Sequence, residues 1–222
     1  LRATRVALKP RHGTFVGEVY YLPNLLRDGA WDTLYSEHLF SHHVRPLRRL
    51  LASEGFTLDH VEDVETHGGS IRFWAAFDRS PGLGVPNGTV WSHLDRERDE
   101  GLDDPWTYRA FGTRVKKAMG DLFTEVQRLR SLGLRVCGYT APAKATVQLC
   151  GAGLTGAEVA YVVDDAPSKQ GQWIPGAAVP IVPASRMAEE PPDVVIVFSW
   201  GLVDEILPRL PMGVRVLIPV PA

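Results

Sequence analysis

Residues 134–150 have the sequence LRVCGYTAPAKATVQLC, in which a short apolar run leads through a turn into a helical pattern. The run Leu134–Tyr139 predicts a strand, and the helix that follows begins at about Pro142. Later segments repeat this alternation, with strands predicted at Val159–Val163, Asp193–Phe198 and Val214–Pro219 and a helix at Leu202–Leu210. Strands that alternate with helices predict a parallel, Rossmann-like sheet of at least four strands.

The chain before this lobe has a mixed pattern. Strands are predicted at Thr14–Tyr20, Thr57–Val64 and Ser70–Phe77. An amphipathic helix is predicted from Val44 to Leu51 and ends at Gly55, where a glycine suits the left-handed cap. The order β, α, β, β is typical of one edge of an open α/β sheet.

Two features separate the halves of the chain. Residues 79–87, RSPGLGVPN, are rich in Pro and Gly and predict a boundary, after which Ser92 and Asp95 predict a capping box that opens a charged helix. Asp104 and Pro105 then predict the start of a long amphipathic helix that reaches Gly133. The expected division is residues 1–79, a helical linker at 80–132 and a Rossmann-like domain at 133–222. Within that domain, the excursion 167–192 is long for a structureless loop and predicts a functional or mobile segment.

Composition excludes several classes of protein. Lys and Arg number 24 against 26 Asp and Glu, a net charge of -2, so composition gives no case for a nucleic-acid or acidic-membrane partner. No apolar run is long enough to span a bilayer, which favours a soluble protein. Cys137 and Cys150 form no Cys-x-x-Cys pair, so we expect no disulfide framework and no metal site in this chain. A cytoplasmic location fits these features, and the uncapped start at Leu1 predicts that the chain was cut from a longer protein.

Two segments of the C-terminal half could bind a phosphate. Gly151–Gly156 matches G-x-G-x-x-G, but a helix precedes it and a strand follows, so we interpret it as a helix cap and turn. The turn before Lys144 lies where parallel sheets bind ligands, and its helix start with the Lys144 ammonium suits a diphosphate. An ordinary solvated lysine remains equally open. Asp164 ends the second strand, where NAD enzymes place a ribose-binding acid, although the first turn lacks the glycines of that motif.

Two histidine segments are candidates for proton chemistry. Tyr35-Ser36-Glu37-His38 places a phenol, a carboxylate and an imidazole within four residues, and an imidazole can accept a proton at neutral pH. The second segment, His67-Gly68-Gly69-Ser70, joins two strands, where glycines allow a ligand close to the backbone. Spacing alone favours a surface histidine in the first segment and a hairpin turn in the second. His42 and His43 are interpreted as structural residues at a helix start.

Several motifs follow one another in an order that suggests a family. These motifs are Leu8-Lys9-Pro10 before a strand with Glu18, Tyr35 to His38, His67 to Arg72, Gly138 to Lys144, Lys169-Gln170-Gly171 with Pro175-Gly176, and Pro180 to Pro183. Together they resemble the S-adenosylmethionine-dependent sugar C-methyltransferases of deoxysugar biosynthesis, over almost the whole chain. The resemblance implies the later part of a class I methyltransferase domain, linker helices and a C-terminal Rossmann-like lobe. It also implies that the cofactor loop, and a zinc module with four cysteines, lie upstream of Leu1.

The resemblance further implies a reaction and a set of site residues. The reaction is methylation, most often at C3, of a nucleotide-linked 4-keto-deoxysugar through an enolate, with S-adenosylmethionine as the cofactor. His38 is then the base, Glu37 its partner and Tyr35 the donor to the enolate oxygen. The expected substrate contacts are His67, Gly68, Gly69, Ser70, Tyr21, Lys144 and Lys169.

Three departures and two alternatives accompany this interpretation. Ser36 stands where the family usually has His, His42 where an aromatic residue is common, and Arg11-His12-Gly13 where the family has a glycine-rich sequence. They leave the sugar open. The alternatives are an NAD(P)-dependent oxidoreductase, which needs a glycine-rich first turn, and a non-catalytic sugar-nucleotide-binding fragment.

Overall fold

The structure is a computed structural model that describes residues 1–8, 13–77, 85 and 87–220. The motif residues 9–12 and most of the predicted boundary segment 79–87 lie outside these ranges. In the described part of the chain, no helix is long and apolar enough to cross a membrane.

The chain folds into two compact units. Unit 1 comprises Leu1–Arg27 and Phe40–Arg109, and unit 2 comprises Asp28–Leu39 and Ala110–Ala222. The segment Asp28–Leu39 therefore belongs with the C-terminal half, although the chain on both sides of it belongs to unit 1. The domain boundaries expected at residues 79 and 132 stay predictions.

Unit 1 is built on a three-stranded antiparallel sheet. Its elements are α1 (Arg2–Ala7), β1 (Thr14–Tyr20), α2 (Leu22–Asp28), α3 (Val44–Ser53), β2 (Phe56–Val64), β3 (Ser70–Phe77) and α4 (Gly88–Asp99). The strand order is β1-β3-β2, and both outer strands pair with β3 in antiparallel register. Residues on one face of β2 and β3, such as Leu58, Val61 and Phe73, are buried in one core with residues of α3 and α4. The three predicted strands are confirmed.

The start of α4 differs from the prediction. The N-cap is Asn87, whose side-chain oxygen accepts hydrogen bonds from the backbone N–H of Thr89 and Val90 at 3.1 and 3.2 Å. Ser92 lies inside the helix, where its hydroxyl donates to the Gly88 carbonyl at 2.9 Å. The predicted capping box at Ser92 is wrong because Asn87 already satisfies the first free N–H groups of the helix.

Unit 2 is a Rossmann-like sheet with flanking helices. The elements that follow α4 are α5 (Pro105–Ser131), β4 (Val136–Tyr139), α6 (Ala143–Ala152), β5 (Val162–Val163), β6 (Trp173–Ile174), β7 (Val179–Val182), α7 (Arg186–Glu189), β8 (Val194–Val197), α8 (Val203–Ile206) and β9 (Arg215–Leu217). The strand order is β6-β7-β5-β4-β8-β9, and only β6 runs antiparallel to its neighbour. The predicted α/β fold with a mostly parallel sheet is confirmed. The excursion 167–192 is not structureless, because β6, β7 and α7 lie within it.

The order of the parallel strands marks the crevice at which open α/β sheets bind ligands. Along the chain β4 is the first parallel strand, and the strands that follow it build outward from one side of β4 before β8 begins on its other side. The order reverses between β4 and β8, and open α/β sheets bind ligands beyond the carboxyl ends of strands at such a point. Residues 140–144 and 198–200 follow these two strand ends.

Candidate functional site

The carboxyl ends of β4 and β8 are joined by a hydrogen bond between two hydroxyls. Thr140 Oγ1 lies 2.8 Å from Ser199 Oγ. Thr140 has a φ of 67°, a left-handed conformation that a β-branched residue rarely adopts. Backbone strain of this kind persists where the surrounding structure holds it, and it clusters at ligand-binding turns.

Lys169 and Asp164 hold the turn after β4 from one side. Asp164 Oδ2 accepts a hydrogen bond from the Ala141 N–H at 2.7 Å, and Lys169 Nζ lies 3.1 Å from the same oxygen and 3.0 Å from the Ala141 carbonyl. Burial opposes ionisation of Asp164, but these bonds and one from the Ala166 N–H outweigh it and lower the pKa of the carboxyl. Asp164 is thus engaged in the turn rather than presented to a ribose, and Lys169 has a structural partner.

Lys144 lies in the first turn of α6, on the other side of the crevice. Its Nζ sits 4.7 Å from the centre of the Trp200 ring, a cation–π contact. The cap residue of α6 is Pro142, which offers no side-chain hydrogen bond to the first N–H groups of the helix. An uncapped helix start beside a lysine is a favourable place for an anionic group.

Asp32 is a buried carboxylate that the sequence analysis missed. It has 0% exposure in the 3₁₀ turn Trp31–Thr33, and its Oδ2 accepts hydrogen bonds from Gln148 Nε2 at 2.8 Å and Trp200 Nε1 at 2.9 Å. Burial raises its pKa, although the Lys144 charge and the two hydrogen bonds act in the opposite direction. Among the described residues, Asp32 Oδ1 has no hydrogen-bond partner. The only sequence signal was an acidic residue between Trp31 and Thr33, because its partners are far away in the chain.

The arrangement around His38 defines the chemical state of its ring. His38 Nδ1 lies 2.8 Å from the Thr33 carbonyl oxygen, and His38 Nε2 lies 3.1 Å from the Tyr35 hydroxyl. A carbonyl oxygen can only accept a hydrogen bond, so Nδ1 carries the proton in the neutral ring. Nε2 is then the basic nitrogen, and it accepts from the Tyr35 O–H. The structure therefore brings together two of the three predicted catalytic residues.

Glu37 has a different place from the one expected. The group that holds His38 Nδ1 is the Thr33 carbonyl, and Glu37 is exposed at the surface of unit 2. Burial raises the pKa of Tyr35, and the negative charges of Glu37 and Asp32 add to that effect. The charge of Glu37 therefore opposes ionisation of Tyr35, as burial does, and Glu37 is not the group that orients His38.

The His67–Ser70 segment forms a tight turn in unit 1. Gly68 and Gly69 have φ values of 87° and 114°, and a Cβ atom at Gly69 would lie 2.4 Å from Asn24 Nδ2. Asn24 Nδ2 donates to the Gly69 carbonyl at 3.0 Å, and Ser70 is buried with its hydroxyl on the Thr66 carbonyl. The geometry supplies a structural reason for Gly69 and Ser70. Their substrate contact stays a prediction.

Tyr21 lies in the core of unit 1. Its side chain has 0% exposure, and its hydroxyl donates to buried Glu97 at 3.1 Å. Burial raises the pKa of this phenol, and Glu97 adds to the effect. A fully buried ring presents no surface to a ligand, so the geometry does not support the expected substrate contact of Tyr21.

The described residues do not fit a dinucleotide or S-adenosylmethionine loop. The turn after β4 contains Thr140, Ala141 and Pro142 in place of glycines, and Asp164 is already engaged. Gly153 caps α6 with a φ of 72°, which confirms that the G-x-G-x-x-G match is a helix cap and turn. Within the described ranges, no group of three or more His, Cys, Asp or Glu side chains could hold a metal ion.

Comparison with known proteins identifies the family. Residues 65–221 match the C-methyltransferase C-terminal domain family. C-methyltransferase NovU of Streptomyces niveus is 31% identical over 219 residues, which cover 97% of this chain and 52% of that protein. The chain thus spans about half the length of this curated relative. The family match covers the turn between β2 and β3, helices α4 and α5 and the whole parallel sheet, and the chain therefore belongs to the C-methyltransferase family.

Proposed function

We propose that this chain carries the base and the substrate contacts for C-methylation of a nucleotide-linked 4-keto-deoxysugar, at C3 beside the ketone. Family membership supports methyl transfer to carbon. The pairing of His38 and Tyr35 supports an enolate route, because that route needs a base for the α proton and a donor for the enolate oxygen.

The protonation state of His38 is the observation that carries this proposal. Its Nδ1–H is held by the Thr33 carbonyl, which leaves the lone pair of Nε2 for proton transfer. The α C–H bond breaks, the proton goes to His38 Nε2, and the bonding pair forms the enolate. The ring then carries both protons as a cation beside the new negative charge.

Tyr35 stabilises the charge that this step creates. In the structure its hydroxyl lies 3.1 Å from His38 Nε2. When the ketone enters, the hydroxyl turns to the ketone oxygen, and this rotation frees Nε2 for the proton. Its raised pKa keeps the proton on Tyr35, so that it donates to the enolate without losing the proton.

Lys144 binds the diphosphate of the sugar nucleotide in the crevice beyond β4 and β8. The Trp200 ring fixes the direction of its side chain, and the uncapped start of α6 adds backbone N–H donors. The same unit holds His38, so one unit binds the nucleotide and supplies the base.

S-adenosylmethionine, the cofactor that the family implies, would supply the methyl group to the carbanion. The described residues do not fit that cofactor, and the steps that they carry end at the enolate. We propose that the cofactor is held by residues outside this chain. Calorimetry of the 222-residue chain with S-adenosylmethionine should then show no saturable heat, as also expected for a non-catalytic sugar-nucleotide-binding fragment.

Exchange of the substrate ring proton with deuterated water tests the proposal. His38→Asn in the full-length protein should lower the exchange rate by about 10² to 10⁴ fold, the contribution of a positioned base. The sugar-nucleotide Kd should stay close to the wild-type value. His67→Asn is the matched control, and loss of exchange in that variant with full exchange in His38→Asn would make His67 the base. If both variants exchange the ring proton at the wild-type rate, neither histidine is the base.

A further inference from the structure

The 3₁₀ turn Trp31–Thr33 fastens the His38 segment to the Rossmann-like sheet. Asp32 accepts hydrogen bonds from Gln148, which lies on α6, and from Trp200, which follows β8. Gln148 Nε2 also lies 3.2 Å from the Phe198 carbonyl, at the end of β8. One carboxylate therefore ties the turn to both sides of the crevice.

The same turn fixes the ring of His38. The Thr33 carbonyl that accepts from His38 Nδ1 follows Asp32 directly in the chain. Thr33 is buried, and its hydroxyl donates to the Ala30 carbonyl at 2.7 Å. The Thr33 carbonyl shares a peptide plane with the Leu34 N–H, which donates to the Trp31 carbonyl at 3.1 Å. A displacement of Asp32 would therefore be passed to the Thr33 carbonyl through this hydrogen-bonded turn.

Trp200 connects Asp32 to Lys144, the proposed contact of the diphosphate. Trp200 donates its indole N–H to Asp32 and carries Lys144 over the face of the same ring. An anion that draws Lys144 forward therefore acts on a ring whose edge is bonded to Asp32. The contacts run without a break from Lys144 through Trp200, Asp32 and Thr33 to His38.

Two buried acceptors of this network are not satisfied by the described residues. Asp32 Oδ1 and Gln148 Oε1 are buried and have no hydrogen-bond partner among the described residues. Unpaired buried acceptors cost free energy, and an apolar residue of similar size would avoid that cost. A carboxylate buried at this cost is a candidate for a role beyond packing.

We propose that Asp32 is a positioning residue that sets the tautomer and the location of His38 and links them to the anion contact at Lys144. This inference rests on the proposed function in taking His38 as the base. Asp32 touches no reacting atom and acts through the Thr33 carbonyl. Its side-chain oxygen is the feature that matters, since that oxygen receives both N–H groups.

The test reads the His38 ring directly. In the full chain with ¹⁵N-labelled histidine, long-range proton–nitrogen spectra report which ring nitrogen carries the proton. Wild type should show the Nδ1–H tautomer. Asp32→Ala should mix in the Nε2–H tautomer, whereas Asp32→Asn should restore the wild-type pattern because its amide oxygen accepts the same two bonds.

Activity and control variants complete the design. Asp32→Ala in the full-length protein should lower kcat for ring-proton exchange by about 10² fold, the loss expected for a base misplaced by about 1 Å, and Asp32→Asn should stay within a few fold of wild type. Trp200→Phe keeps an aromatic ring at this position but removes the indole N–H donor to Asp32, and it should shift the tautomer in the same direction by less. Asp121→Ala, at an exposed surface pair with Lys117, should change neither readout.

The outcomes separate this inference from the proposed function. An unchanged tautomer and exchange rate in Asp32→Ala would overturn the positioning role, while His38→Asn would still test the base. If Asp32→Ala fails to fold, an unchanged tautomer in Trp200→Phe overturns it instead. If the tautomer shifts as expected but His38→Asn keeps full exchange, Asp32 positions His38 and the proposed base is wrong.

Discussion

Two buried carboxylates, one in each unit, are satisfied to different degrees. Glu97 in unit 1 has 1% exposure, and both of its oxygens accept hydrogen bonds, from the backbone N–H of Val44 and Arg45 and from the Tyr21 hydroxyl. Asp32 in unit 2 is just as buried, yet only one of its oxygens has a partner among the described residues.

The difference fits a structural role for Glu97 and the positioning role proposed for Asp32. The N-cap residue of α3, His43, makes no side-chain cap bond, so Glu97 on α4 supplies the cap from another helix. Every bond of Glu97 therefore stabilises the fold. Asp32 Oδ1, by contrast, has no partner among the described residues, so not every acceptor of this carboxylate contributes to the fold.

The largest expected effect is on the stability of unit 1. Glu97→Ala removes the cap of α3 and leaves buried donors unpaired, so the free energy of unfolding should fall by about 3 kcal/mol or more, since hydrogen bonds to a charged group are worth about 1.5–3 kcal/mol each. Asp32→Ala should cost less, about 1 to 2 kcal/mol, because it also removes an unpaired buried oxygen. Urea unfolding measures both. Equal losses would break the comparison, and Glu97→Gln, which keeps an acceptor, is the control.

The next-largest expected effect is on stability, at two turns that contain a residue with left-handed backbone. Gly69→Ala in unit 1 meets both a φ of 114° and the Asn24 side chain, and should destabilise by about 2 to 3 kcal/mol. Thr140→Gly in unit 2 relieves the strain at a φ of 67° but loses the bond to Ser199, so its stability should stay within about 1 kcal/mol of wild type. Thermal unfolding at fixed pH tests the pair. A large loss in Thr140→Gly would show that the turn after β4 is structural.

The third prediction compares two lysines of unit 2, one proposed to bind the ligand and one that holds a turn. Lys144→Ala should weaken calorimetric binding of thymidine diphosphate by about 1 to 3 kcal/mol, the value of a hydrogen bond to a charged group. Lys169→Ala should act mainly on stability, since Lys169 bonds Asp164 and the Ala141 carbonyl. An unchanged Kd in Lys144→Ala would show that Lys144 does not contact the diphosphate and is an ordinary solvated lysine.

The smallest effect is a pH dependence with opposite signs at two carboxylates. The pKa of Asp32 is raised by burial, so folding favours its protonated form, and its contribution to stability is lost as the pH rises from about 3.8 towards the folded pKa. The pKa of Asp164 is lowered, so its contribution is lost as the pH falls below 3.8. Because the charge of Lys144 favours the ionised form of Asp32, it works against the effect of burial, and we expect the pH dependence from Asp32 to be small. Urea unfolding between pH 3 and about 8 should show the first trend vanish in Asp32→Asn and the second in Asp164→Asn.

Local patterns explain what the sequence predicted well. Strands β1 and β3 have the predicted ends because their more and less buried residues alternate, and because Gly13 and Gly69 directly precede them. The helix predicted at Leu202–Leu210 is instead split into short helical turns over residues 200–209. Pro208 lacks a backbone N–H and restricts the residue before it, which explains the break.

Long-range contacts explain what the sequence could not show. Tyr35 and His38 were found because they are close in the chain. Asp32 was missed because its partners Gln148 and Trp200 lie 116 and 168 residues away, where no periodicity connects them. The orientation of His38 by Thr33 rather than Glu37 was equally hidden, since a backbone carbonyl has no sequence signature.

The wide spacing of these contacts also sets an order of events during synthesis. Asp32 leaves the ribosome 168 residues before Trp200 does, a delay of roughly 10 to 30 s at about 5–20 residues per second. Contacts of such high sequence separation form late, because their loop-closure entropy must be met first. The His38 segment is thus translated before the parallel sheet but acquires this anchor only after β8 has been made.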